Sequence, residues 1–220
     1  MIGVVVDIDD TIINTQRRVQ RVWSLILDHE IPQEIVEALS SRQILERFAA
    51  SDREKWNRFW SILLCSDEAG IGFLKLDEAI PFAADVLQKW SRQSEIVYFT
   101  GRPDSSRQLT LSELKRFGFP IDDTELMMFD PEDWENFTSV GSLVGARQRV
   151  FSHISEKYDV VKVIDDYPAF FNVYRQFNVP DRIGLLRPKR FSPQNYLSQG
   201  ATRVVESWSQ LLNELPRLNR

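Results

Sequence analysis

Three carboxylates, Asp7, Asp9 and Asp10, stand directly behind the apolar run Val4, Val5 and Val6 in the stretch VVVDIDDT. Negative charges this close repel one another and resist desolvation, so they need something cationic among them. A second acidic pair, Asp165 and Asp166, closes another apolar run in VVKVIDD. Carboxylates joined by a backbone carbonyl suit a hard divalent cation such as magnesium, which keeps several waters of its own. Side chains of the same type can also act as a nucleophile or as a general acid and base. The chemistry implied by the clustering is the holding of a hard cation by carboxylates.

Such groups must be brought together by the elements that carry them. Short apolar runs bounded by turn or acidic residues recur along the chain: IGVVVDI, EIVYFT, ELMMF, VVKVID, RIGLLR and the weaker TRVVE. Segments of helical period separate most of them, at roughly 104–117, 141–157, 167–177 and 206–215, which is the signature of a parallel sheet with crossover helices. The fold class expected is α/β, with a Rossmann-like parallel sheet as its core. Ligands in such sheets collect at the carboxyl ends of the strands. Three strand candidates end there in something chemical: DIDDT, TGR (Thr100, Gly101, Arg102) and IDDYP.

Residues 15–80 interrupt the alternation with consecutive helical patterns. SDREKW reads as a capping box, with Ser51 as cap and Glu54 three residues on. Trp56, Phe59, Trp60, Leu63 and Leu64 then form one apolar face, and Pro32 suits the first turn of another helix. The expected organisation is a catalytic core of residues 1–14 and 81–220 with an inserted helical block at 15–80.

In these motifs the chain resembles the haloacid dehalogenase-like superfamily, and within it the magnesium-dependent phosphatases. Asp7, Asp9 and Thr11 match the family's Asp-x-Asp-x-Thr after the first strand. Thr100 matches the Ser or Thr that ends the next core strand, and Asp165 with Asp166 matches the later acidic pair. The likeness covers residues 1–14 and 81–190, with the helical block where many members carry a cap. It implies that Asp7 attacks phosphorus to form an aspartyl-phosphate, and that Asp9 protonates the leaving alcohol and then deprotonates water. It further implies that Asp7, the backbone carbonyl of Asp9, and Asp165 or Asp166 hold magnesium, and that Thr11, Thr100 and the Gly101 amide serve the phosphoryl group. An acid at position 9 favours phosphoryl transfer over cleavage of carbon–halogen bonds.

Members of the family also place a Lys early in the helix before the acidic pair. Here the helical register puts Arg147 at that place, with Lys157 and Lys162 as alternatives nearer to or within the strand. An Arg supplies charge and a bidentate grip on phosphate, although its reach and hydration differ from those of Lys. Asp10 stands where many members carry Gly, and reads either as a helix cap or as a further site carboxylate.

The formal net charge of −5 leaves no basic surplus to neutralise a nucleic-acid backbone. No apolar stretch approaches the roughly 18 residues of a membrane span, and the N-terminus lacks the pattern of a signal peptide, so a cytoplasmic location is expected. The single cysteine, Cys65, reads as core filler. His29 and His153 show no ligand spacing, and Trp23, Trp56, Trp60 and Trp90 read as packing residues. The expected function is magnesium-dependent hydrolysis of a small phosphorylated metabolite. The alternative is a noncatalytic metal- and phosphate-binding regulatory module.

Overall fold

The computed structural model describes residues 1–64, 68–130, 133, 140–187 and 189–216. Cys65 lies outside them, as do residues 217–220. Among the described residues the chain divides into two compact units. One comprises Met1–Ile12, Ala79–Arg187 and Phe191–Arg220, and the other Ile13–Glu78 and Pro188–Arg190.

The first unit is built on β1 (Ile2–Asp7), where Val4, Val5 and Val6 are fully buried. Branched side chains pack well on a pleated surface, and burial on both faces requires the unbroken apolar run seen here. In chain order, β2 (Ile13–Asn14) precedes α1 (Gln16–Leu27), α2 (Gln33–Ala38), α3 (Ser41–Ala49), α4 (Arg53–Leu63) and α5 (Glu68–Phe73). Then follow β3 (Glu78–Ala79), α6 (Ala83–Trp90), β4 (Glu95–Pro103), α7 (Arg107–Arg116), β5 (Glu125–Phe129) and α8 (Val140–Lys157). The chain ends with β6 (Asp159–Asp165), α9 (Phe171–Gln176), β7 (Asp181–Leu185), α10 (Pro193–Gln199) and β8 (Arg203–Val205). Strands β2 and β3 pair only with each other.

The other six strands form one parallel sheet in the order β5-β4-β1-β6-β7-β8. Strand β1 is therefore flanked by β4 and β6, the two other strands whose ends carry motif residues. Register levels those ends: Asp7 lies opposite Phe99, next to Thr100, and Val6 lies opposite Ile164, next to Asp165. The chain runs from β1 to one side and later returns to the other, so the strand order reverses at β1, and ligand crevices form at such reversals. One face of the sheet is packed by Phe99, Phe129, Phe151, Phe171 and Tyr174.

All six expected strands are present, TRVVE included. The helix expected over 206–215 is not. Only a short 3-10 helix, Trp208–Leu211, forms there. Phe82 enters α6 with φ +67, a left-handed conformation unusual for a bulky residue.

The second unit is helical, and its core gathers Val22, Trp23, Ile44, Leu45, Phe59 and Ile62. Trp23 and Phe59 stack with centroids 4.3 Å apart. Buried Arg18 pairs with buried Asp77 at 3.0 Å. The cap of α4 is Asp52, whose carboxylate accepts the Glu54 and Lys55 amides, and not Ser51 as the sequence pattern suggests. Ser51 itself takes φ +62 in the turn before the cap, and an ionised carboxylate is the stronger acceptor for unpaired amides. Pro32 is the N-cap residue of α2, one position earlier than expected.

Candidate active site

Asp7 ends β1 and is nearly buried, with a relative exposure of 6%. One carboxylate oxygen accepts the Thr11 hydroxyl at 2.9 Å, and the other accepts Nη2 of Arg147 at 2.9 Å. Arg147 comes from the middle of α8, the helix before the acidic pair, and the same Nη2 bonds Asp165. Its Nε donates to the Tyr174 hydroxyl at 2.8 Å, and its guanidinium lies 4.1 Å from the Phe99 ring centre and 4.4 Å from that of Phe170. A planar, delocalised cation is suited to this slot between two rings and two carboxylates. Asp165 further accepts the Tyr174 hydroxyl at 2.5 Å and the Tyr167 amide at 2.8 Å.

Asp166 gives one oxygen to Nη1 of Arg187 at 2.8 Å, and Asp10 bonds the other arm of that guanidinium at 2.8 Å. Asp10 has φ +60 and no helix follows it, so it is no helix cap. An Asp tolerates the left-handed conformation that a Gly would take freely, and here it gains an ion pair. Gly184 lets Tyr196 come close beneath this loop: a Cβ on Gly184 would lie 2.6 Å from Tyr196 Cδ1. The Tyr196 hydroxyl sits 2.8 Å from the Asp166 carbonyl and accepts the Arg187 amide at 3.2 Å.

Asp9 is one-third exposed and is gripped by Arg102, whose Nη2 and Nε reach its two oxygens at 2.7 and 3.0 Å, while Thr100 donates at 3.1 Å. Arg102 is itself pinned by Glu113 at 2.7 Å and Thr110 at 3.3 Å. The five carboxylates of the two acidic motifs therefore divide. All five bond an arginine, but only Asp7, Asp165 and Asp166 each offer an oxygen within 4.8 Å of the others.

Lys157 pairs instead with Glu125, and Lys162 with Asp181 beside the Trp90 ring. Of the three cations considered from the sequence, Arg147 is the one that touches Asp7 and Asp165. His29 and His153 are exposed. Arg102 entered the sequence reading only within TGR and without a role, and Arg187, Glu113, Tyr174 and Tyr196 escaped it. The first two were within reach of it, since each ends or follows a strand at the carboxyl edge.

Burial, reinforced by Asp165 and opposed by Arg147, holds the Asp7 carboxyl well above the usual carboxylate range. Burial also raises Asp165 against Arg147 and Tyr174, and pushes Asp166 up to about 7 against Arg187. Burial is the leading cause for all three, so these carboxyls resist ionisation where they stand. The guanidinium groups of Arg102, Arg147 and Arg187 answer six carboxylates, the five of the acidic motifs and Glu113, so negative charge is in excess here. Three buried carboxylates with oxygens at this spacing are a hard donor set that fits magnesium.

No protein-family model and no curated protein matches this sequence. Solved structures do match the fold along nearly the whole chain. A haloacid dehalogenase-like hydrolase from Streptococcus pneumoniae superposes with a TM-score of 0.66 at 10% identity, over 96% of this chain and 97% of that one. A HAD family hydrolase from Deinococcus radiodurans with bound phosphate and sodium gives 0.62 at 16% identity, over 95% and 92%. A hydrolase from Pseudomonas syringae gives 0.61 at 17% identity, over 97% of each.

Proposed function

We propose that this chain, which has the fold of the haloacid dehalogenase-like hydrolases, hydrolyses phosphate monoesters of small metabolites through an aspartyl-phosphate on Asp7. The observation that carries the reading is Arg147, a buried cation touching both Asp7 and Asp165. Such a group neutralises a nucleophile that must meet an anionic substrate, and stabilises charge that builds on the transferring group. A phosphate bound in one structure of this fold agrees with it.

Thr11 and Arg147 orient the Asp7 carboxylate, one of whose oxygens forms the new bond to phosphorus as the ester P–O bond breaks. Asp9 gives a proton to the departing alcohol oxygen. In the second step it takes one from the water that attacks phosphorus, so that P–O cleavage regenerates Asp7 and releases phosphate. The hydrogen bonds that Asp9 accepts from Arg102 suit the second step. The first requires Asp9 in its protonated form, its carboxyl turned from Arg102 toward the leaving oxygen. Thr100 and the Gly101 amide, at the end of the adjacent strand, position the phosphoryl group. Magnesium, held by Asp7, Asp165, Asp166 and the Asp9 carbonyl, would supply Lewis-acid neutralisation of the phosphoryl oxygens.

Arg102 also supports a second reading, a noncatalytic metal- and phosphate-binding module, because its guanidinium already engages both oxygens of the acid/base candidate. Phosphate release from a chromogenic ester and from a panel of sugar phosphates and nucleotides, with magnesium or chelator, separates the two. Hydrolysis is expected with magnesium and its loss, by several orders of magnitude, in Asp7→Asn. Magnesium binding with no turnover on any ester selects the second reading.

A further inference from the structure

The segment that follows β8 enters neither the sheet nor the chemistry above, yet one of its side chains ends at the catalytic loop. Trp208 opens the 3-10 helix Trp208–Leu211 and is fully buried. Its indole Nε1–H donates to the backbone carbonyl of Thr11 at 2.7 Å, across 197 residues of sequence. Thr11 is fully buried too, and its hydroxyl donates to Asp7 at 2.9 Å. The loop between them is a tight turn in which the amides of Thr11 and Ile12 both bond the Ile8 carbonyl, with Asp10 in the left-handed conformation. The turn is closed from within at its amide side and held from outside at the Thr11 carbonyl. We infer that Trp208 is a positioning residue for the nucleophile: its indole fixes the Thr11 backbone, and through the Thr11 hydroxyl the orientation of the Asp7 carboxylate. This rests on the reading of Asp7 as nucleophile.

The same segment carries its own control. Trp90 of α6 donates its indole N–H to the Glu214 carbonyl at 2.9 Å, and its ring lies 6.1 Å from that of Trp208. Lys89 adds a bond to the Leu212 carbonyl at 2.9 Å. Trp90 and Trp208 are both fully buried, and each makes one indole-to-carbonyl bond, but only the Trp208 bond reaches the catalytic turn. If the segment merely braces the fold, removing either donor should have the same consequences.

The test compares Trp208→Phe with Trp90→Phe in the full chain, each keeping a ring and losing the N–H. Melting temperature, kcat and KM on a chromogenic phosphomonoester, and affinity for beryllium fluoride, which mimics a phosphoryl group on a carboxylate, are measured with saturating magnesium. Both variants should melt lower. Trp208→Phe alone should lose kcat on the order of 10- to 100-fold with KM nearly unchanged, and should weaken beryllium fluoride binding in parallel, since misplacing a reacting group costs rate steeply. Equal kcat and equal beryllium fluoride affinity in the two variants overturn the inference. If Trp208→Phe does not fold, benzothienylalanine at position 208, isosteric with Trp but without the N–H, carries the same comparison. A parent chain that hydrolyses no ester but binds beryllium fluoride condemns the proposed function while the affinity comparison still decides the role of Trp208. A parent that does neither overturns both.

Discussion

Arg147 touches both Asp7 and Asp165 from between two aromatic rings, and its variants separate charge from packing. Arg147→Ala strips a buried cation from two buried carboxylates, a change that costs about 3–5 kcal/mol of stability in comparable buried pairs, and removes transition-state stabilisation as well. Arg147→Lys keeps the charge but cannot bond in two directions while lying between Phe99 and Phe170, so it should retain part of the activity. Lys162→Ala should lower stability and leave kcat near that of the parent, and Lys157→Ala should change neither. Steady-state kinetics beside urea unfolding checks the series, and a larger kcat loss in either Lys variant than in Arg147→Ala would overturn the assignment of the site cation. Asp166 supplies a pH prediction. Its folded value of about 7 lies above the unfolded carboxylate value of about 3.9, so the folded state binds more protons between the two. The stability this contributes is complete below about pH 4 and is lost as pH rises through about 7. In chelator the parent should therefore lose melting temperature relative to Asp166→Asn as pH rises from about 4 through about 7; a difference between the two that stays flat across that window would contradict the buried, proton-retaining carboxyl.

At the scale of elements, the site depends on strands and helices approaching closely enough to hold loops in place. Gly184→Ala on β7 forces a Cβ against Tyr196, and overpacking of this kind costs about 1–3 kcal/mol. Because Tyr196 braces Asp166 and Arg187, the variant should also weaken magnesium binding; calorimetric titration showing unchanged affinity at reduced stability would separate that brace from the metal site. The strands were legible in the sequence because burial on both faces demands uninterrupted Val, Ile and Phe, and because each run ends at a residue that cannot continue it. Arg147 was legible through helical register alone, since a helix fixes which residue faces the sheet. The Ser51 cap was misread because Ser and Asp are adjacent and both able to cap, and only the backbone turn decides between them. The 206–215 helix failed because Trp208 and Trp90 tie that segment down by side-chain bonds, which no periodicity reports. The partnerships of Arg102 with Asp9 and of Arg187 with Asp10 were hidden for a similar reason, being set by strand order rather than by spacing along the chain.

On the scale of the whole molecule, the question is whether a cation acts at one place or on the overall charge. The chain carries a formal −5, and any added salt screens repulsion among surface carboxylates over a Debye length of about 10 Å at 0.1 M. That general effect should be small and indifferent to the cation. A divalent ion held by Asp7, Asp165 and Asp166, as proposed, would act differently: bound to the native chain alone, it would stabilise it by mass action, about 2.7 kcal/mol when its concentration is 100 times its dissociation constant. It also displaces the protons that these buried carboxyls would otherwise retain, so its gain should be larger above pH 7 than below pH 5, and proton release should accompany binding. The expected outcome is a rise in melting temperature with magnesium that sodium at matched ionic strength does not reproduce, and that Asp165→Asn removes. Scanning calorimetry of both proteins in the two salts measures it. Equal rises in magnesium and sodium would assign the effect to screening and leave the three carboxylates without their cation.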